Sequence, residues 1–276
     1  MPESNPIVSG SAPRLSLVIH AGRPEERVVR CQRVVTLLGS REGCKILLKH
    51  RRVAPVHAAI VQTGGRVLAV DLVTRSGSRL NDLQLSCETL HDGDRLGIHK
   101  WEFVARIETP GRVPLDDDLV EAVHEHPGVV LQHVETGKTL KPQREVCILG
   151  RRQGCDIAVG DKRVSRVHAL LLTYLGRPAV FDLLSLNGTF VNEEPVVFRL
   201  LEDGDELRLG ASVFRVQVPA PAGAGDNGRS AAATDVLRSP EDTASDLVDI
   251  AAAEGTQRWR IAEKLEKGSR KSAPRA

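Results

Sequence analysis

The chain predicts an all-β fold: two sandwich or barrel domains in tandem, followed by a largely disordered C-terminal tail. Three observations carry this. Short alternating apolar runs recur between turn residues at the spacing of small β domains. Helical periodicity is nearly absent before residue 219. The third is an internal repeat: His57 and His168 set an offset of 111 residues that holds without a gap from Leu38 against Leu149 to Phe103 against Phe214, with 23 of 66 aligned positions identical. The identities fall heavily on turn residues, among them Gly39/Gly150, Gly43/Gly154, Asp71/Asp182 and Asn81/Asn192. A unit of this length exceeds the roughly 20 to 50 residues of a solenoid repeat, so the repeated unit is a whole domain. A chain of 276 residues holds two such domains, each large enough for its own core.

In the first repeat, Leu15 to Ile19, Arg33 to Leu38, Ala58 to Gln62 and Val67 to Asp71 read as strands, with a late hairpin at Asp92-Gly93-Asp94. In the second, the strands are Val129 to Val134, Glu145 to Leu149, Ala169 to Tyr174, Ala179 to Leu183, Phe190 to Val191, Glu206 to Leu209 and Val213 to Val218. The first domain is placed at residues 12–108, a linker at 109–127 and the second domain at 128–218. Beyond residue 218 the small, Pro/Gly-rich run Pro219 to Gly228 offers too little apolar surface to offset its ordering entropy. The tail, 219–276, is therefore expected to be disordered, with a short helix read over Leu247 to Lys267, where apolar and basic residues alternate around Trp259.

Composition excludes several function classes. A net charge of +2 gives no whole-molecule attraction to nucleic acid, no apolar run approaches the ~20 residues of a membrane helix, and the N-terminus carries no secretory leader pattern. The five cysteines are odd in number and form no C-x-x-C pair, which fits reduced thiols in the cytoplasm and no metal. Neither a phosphate-binding Gly-rich loop nor a glycine-flanked nucleophile is present, and Ser165 and His168 have no acid placed to complete a triad. The chain reads as a non-enzyme without a cofactor.

What remains is a constellation in the second repeat: Gly150-Arg151-Arg152, then Val164-Ser165-Arg166-Val167-His168, then Ser185-Leu186-Asn187-Gly188-Thr189-Phe190-Val191-Asn192. In order and spacing these segments resemble the signature of the forkhead-associated (FHA) domain, a phosphothreonine-binding module. The resemblance implies two packed sheets with the signature loops gathered at one end. It also implies that Arg151, Ser165, Arg166, Leu186 and Asn187 form the phosphopeptide-binding set, while Gly150, His168, Gly188, Thr189 and Asn192 brace the loops. The chemistry suits the residue types. A phosphate ester carries about −1.5 to −2 charges at neutral pH, and the planar fork of an arginine matches its oxygens. Each position also has a plainer reading: Arg151 as a solvated arginine, Ser165 as a turn serine, and Asn187-Gly188 as the commonest two-residue hairpin turn.

The first repeat is an internal control. Where the second has Arg151, Ser165, Arg166 and Asn187, the first has Ser40, Ala54, Pro55 and Ser76, whereas His57 is kept. The first copy reads as a phosphate-blind version of the same fold. Its remaining basic residues, Arg41, Arg51, Arg52, Arg75 and Arg79, read as a solvated rim, with an unconventional anion site as the alternative, and the domain is free to pack on its neighbour or to dock another protein. The functional expectation is a phosphothreonine-peptide adaptor answering to a Ser/Thr kinase, with Thr243 in the tail as an intramolecular target. Two other readings stay open: a phosphate-independent scaffold, and a regulator whose basic tail binds nucleic acid.

Overall fold

The computed structural model describes residues 4–8, 13–20, 22, 24, 26–63, 65–108, 128–219 and 259–261. In the first repeat the strands are β1 (Arg14–Ile19), β2 (Arg27–Cys31), β3 (Val35–Gly39), β4 (Ile46–Leu48), β5 (Ala58–Gln62), β6 (Val67–Asp71), β7 (Arg79–Leu80), β8 (Leu83–Gln84), β9 (Cys87–Thr89), β10 (Arg95–Ile98) and β11 (Trp101–Glu108). The second repeat has β12 (Val130–His133), β13 (Thr139–Leu140), β14 (Val146–Gly150), β15 (Ile157–Ala158), β16 (Ala169–Tyr174), β17 (Arg177–Asp182), β18 (Thr189–Val191), β19 (Glu194–Val196), β20 (Phe198–Leu200), β21 (Glu206–Leu209) and β22 (Ser212–Gln217). No helix occurs among the described residues.

Each repeat folds into two sheets of matching order. β2-β1-β11-β10-β7-β8 in the first corresponds to β13-β12-β22-β21-β18-β19 in the second, and β4-β3-β5-β6-β9 corresponds to β15-β14-β16-β17-β20. The strands read from the sequence are found to within two residues. Of the strands not read from the sequence, β4, β7 to β9, β13, β15, β19 and β20 are only two or three residues long, too short to display an alternation, whereas β2 and the eight-residue β11 are longer. The expected hairpin at Asp92-Gly93-Asp94 is instead a turn between sheets, since β9 pairs with β6 whereas β10 pairs with β7 and β11. Within the stretch read as helical, Trp259–Ile261 is a strand, β23; the rest of that stretch, the linker and Thr243 lie outside the described residues.

The burial pattern of the central strands decides the architecture. Every residue of β3, β5, β6 and β14 is buried, so these strands are covered on both faces, as a near-continuous apolar run requires. Along β16 the two faces separate. Ala169 and Leu171 enter the core of their own sandwich with Leu149, Leu207 and Phe214. Leu170 and Leu172 point the other way, into a second cluster with Ala59, Val61, Leu68 and Val70 of the first repeat and Phe181 and Phe198 of the second. The two repeats therefore bury the outer faces of equivalent sheets against each other.

That junction is pseudo-symmetric. The Arg41 guanidinium donates to the Leu184 carbonyl at 2.5 Å, and Arg152, its equivalent, donates to the carbonyl of Val73, the equivalent of Leu184. Both accepting residues sit in the left-handed region, with φ of 55° at Val73 and 54° at Leu184. A β-branched residue rarely adopts that conformation, so the packing holds Val73 there against its own preference. The side chains of Leu184 and Val73 in turn press on Gly43 and Gly154, where any Cβ would lie 3.0 Å and 2.6 Å from them. Residue contacts its counterpart's partner in both directions, the signature of an isologous interface, here within one chain.

Candidate functional site

Strand register assembles the signature loops. Leu149 of β14 lies opposite Ala169 of β16, which lies opposite Asp182 of β17. The loop leaving β14, the segment entering β16 and the loop leaving β17 consequently emerge at one edge. Gly150 sits at the tightest point: a Cβ there would come within 2.4 Å of the Arg166 carbonyl oxygen, so only glycine lets the two segments approach. Across that approach, the Arg151 amide donates to the Ser165 carbonyl at 2.9 Å and the Arg152 amide to the Arg166 carbonyl at 3.0 Å.

His168 is the hub behind the loops. It is fully buried, its Nδ1 accepts the Ser165 amide at 3.0 Å, and its Nε2 lies 3.1 Å from the Gly188 carbonyl, which fixes the tautomer with the proton on Nε2. Burial pushes its pKa below the usual 6.5, so the ring is held neutral. Asp182 organises the third loop: its carboxylate accepts from the Ser185 hydroxyl at 2.6 Å, the Ser185 amide at 3.0 Å and the buried Thr189 hydroxyl at 2.8 Å. The sequence reading gave Asp182 no role, although its identity with Asp71 was the available signal. Gly188 completes the loop in the left-handed region, at φ 78°.

On this frame stand the predicted ligand-facing residues. Arg151 is exposed and its Nε donates to the Val164 carbonyl at 3.2 Å. The Ser165 hydroxyl oxygen accepts the Leu186 amide at 3.0 Å, and the Asn187 amide nitrogen donates to the Arg163 carbonyl at 2.6 Å. The structure thus ties Arg151, Ser165, Leu186 and Asn187 into one hydrogen-bonded apex running through residues 163–165. Leu186 is 80% exposed, an apolar side chain presented beside polar ones. Asn187-Gly188 is no hairpin turn, because β17 and β18 belong to different sheets.

Two predicted residues stand elsewhere. Arg166 lines a groove between the two repeats together with Arg152, Arg52 and Arg75. Asn192 follows β18 at the end opposite Gly188. There, at φ 50°, it bonds Asp205 at 2.7 Å and the Glu206 amide at 2.9 Å, so it braces the turn before β21 and not the apex. Cys155, behind the apex, is buried and its thiol is pushed up to about 11, which removes it as a nucleophile at neutral pH. Among the described residues no group of His, Cys, Asp and Glu could hold a metal ion, and no helix is long and apolar enough to cross a membrane.

Order, register and loop geometry of this kind define the FHA class. The model of the FHA domain family matches residues 36–99 and again 147–210, so the chain carries two FHA domains in tandem. The chain is similar to the glycogen accumulation regulator GarA of Mycobacterium tuberculosis, 29% identical over 117 residues that cover 41% of this chain and 72% of the relative. It is also similar to the oxoglutarate dehydrogenase inhibitor of Corynebacterium jeikeium, 37% identical over 82 residues, 30% of this chain and 57% of the relative. Among solved structures it resembles the FhaA FHA domain complexed with the intracellular domain of Rv3910, with 37% identity over 32% of this chain and 99% of that one, at a TM-score of 0.31.

Proposed function

We propose that the second FHA domain captures a phosphothreonine-containing segment of a partner protein, and that the chain acts as an adaptor downstream of a Ser/Thr kinase in the cytoplasm. The observation that carries this reading is the apex: an exposed guanidinium, a serine hydroxyl and an asparagine amide on three loops, held by one hydrogen-bond network over a neutral buried histidine. Arg151 supplies the charge-assisted donor for the phosphate. Ser165 and the loop amides supply neutral donors, and Asn187 holds the peptide backbone beside it. Binding to a phosphoester needs fixed donors and no proton transfer, so the function is capture and not turnover. Relatives named as a regulator and as an enzyme inhibitor support binding over catalysis. Thr243 is an intramolecular target under the same reading, competing with partners once phosphorylated.

An array of phosphothreonine, phosphoserine and unphosphorylated peptides probed with the full chain tests this. Binding restricted to phosphothreonine peptides and lost in Arg151→Ala is expected. Equal retention of unphosphorylated peptides would replace the reading with a phosphate-independent scaffold.

A further inference from the structure

The groove between the two repeats is the strongest feature that the apex does not use. It encloses about 890 Å³ and is walled by five arginines: Arg51, Arg52 and Arg75 from the first domain, Arg152 and Arg166 from the second. Its floor is apolar, made by Val53, Val56, Leu72 and Val167. No aspartate or glutamate lines it.

The groove gathers arginines with no carboxylate among its lining, whereas many arginines elsewhere on the surface are paired. Arg95 pairs with Asp82, Arg106 with Glu26, Arg177 with Glu202, Arg208 with Glu193 and Arg215 with Glu206. Among the described residues, none of the five groove arginines has a carboxylate partner, and Arg152 alone places its guanidinium on a protein acceptor, the Val73 carbonyl. Concave surfaces of one sign with apolar walls focus the field and concentrate counter-ions, and guanidinium forks match phosphate oxygens in particular. Arg75 also stands where the second repeat has Leu186, so the first domain has lost the apical arginine yet gained one facing its neighbour.

We infer that this interdomain groove is a second anion-recognition site, taking a phosphate-bearing segment of a protein partner through guanidinium groups drawn from both domains. It adjoins the apex through alternating residues of one loop pair: Arg151 and Ser165 belong to the apex, Arg152 and Arg166 to the groove. A partner with two phosphates spaced to reach both would bind with the added effective concentration of a linked ligand. The groove does not depend on the apex being a phosphothreonine site, because its arginines come mainly from the domain that lacks the apical set.

The test follows the arginine Nε–H resonances of the full-length chain by NMR during titration with inorganic phosphate. Expected are shifts at Arg52, Arg75 and Arg166 that persist in Arg151→Ala and weaken at least tenfold in affinity in the double variant Arg52→Ala/Arg75→Ala. Arg75→Leu, which restores the residue type of the second repeat at an exposed position, gives the same direction should the double variant fold poorly. Unmoved groove resonances, or the same affinity in wild type and Arg75→Leu, would overturn the proposal. In a competition arm, a phosphothreonine peptide is expected to displace phosphate from the groove at lower concentration than a DNA duplex of equal charge; the opposite ranking overturns the assignment to a protein segment. Loss of apical peptide binding in Arg151→Ala with intact groove shifts separates the two sites.

Discussion

The two apices share a skeleton and differ in what they present. In the second domain the Arg151 Nε bonds the Val164 carbonyl at 3.2 Å; in the first, the Ser40 hydroxyl bonds the equivalent Val53 carbonyl at 3.0 Å. Asn187 satisfies the Arg163 carbonyl at 2.6 Å, and Ser76 satisfies the equivalent Arg52 carbonyl at 2.8 Å. His57 accepts the Ala54 amide at 3.0 Å as His168 accepts that of Ser165, and Asp71 takes Thr74 and Ser78 as Asp182 takes Ser185 and Thr189. Ser40 and Ser76 thus still close the internal hydrogen bonds that Arg151 and Asn187 close, whereas Ala54 has no hydroxyl to accept an amide as Ser165 does. The difference teaches that the loop keeps its internal bonds when the exposed side chain changes: the part-buried Val53 and Val164 carbonyls are both paired, and leaving such a group without a partner costs about 1–3 kcal/mol.

Four experiments break or sharpen this comparison. The largest effect is expected at the junction. Phe181 is buried in the shared cluster, so Phe181→Ala should destabilise the chain by about 3–5 kcal/mol. In denaturant titration the two domains should melt together in the wild type and separate in this variant; two independent transitions already in the wild type would show that the junction does not couple them.

Next is Arg151→Ala, which removes a charge-assisted pair worth about 1.5–3 kcal/mol and should weaken phosphothreonine-peptide binding by about 10- to 100-fold in calorimetry. The equivalent Ser40→Ala should leave peptide binding as it was.

The converse is a gain. Ser40→Arg, Ala54→Ser and Ser76→Asn together, in a chain already carrying Arg151→Ala, should restore part of the phosphopeptide affinity through the first domain, because the histidine and aspartate frame is in place there. No recovery would mean that the frame alone does not position the donors.

The smallest effect concerns pH. His57 and His168 both titrate below 6.5 in the folded chain because burial disfavours the charged ring. The unfolded chain therefore binds more protons as pH falls through 6.5. The stability contributed by the neutral rings is complete above that value and declines as pH drops toward the folded pKa values. The urea midpoint should fall between pH 7 and 5, with a shallower slope in His57→Gln/His168→Gln at lower overall stability. An unchanged slope would assign the acid sensitivity to other groups.

Much of this was legible in the residues. The central strands announce themselves, since β5, β6, β14 and β16 carry apolar runs bounded by turns, and the repeat locates the second domain from the first. Arg151, Ser165 and Asn187 could be proposed because a phosphate site needs donors on loops. That Arg166 lines the groove and that Asn192 braces the turn before β21 could not be read there. Neighbours in sequence along a strand entry point alternately to opposite sides, and only the register tells which side faces the apex and which the groove. Asp182 was passed over because an aspartate that accepts three local bonds looks, in sequence, like any turn aspartate.

Sequence by itself determined that there are two copies of one β domain, that the histidine and glycine frame is common to both, and that the apical donors survive in one copy only. These follow from residue type and spacing, which local chemistry reads directly. Tertiary structure alone decided that the equivalent sheets pack on each other, that Arg41 and Arg152 cross to the opposite repeat, and that five arginines share one groove. A strand buried on both faces has the same composition whether its second cover is its own chain, a partner or a bound segment, and charges far apart in sequence acquire a common field only once the backbone has brought them together.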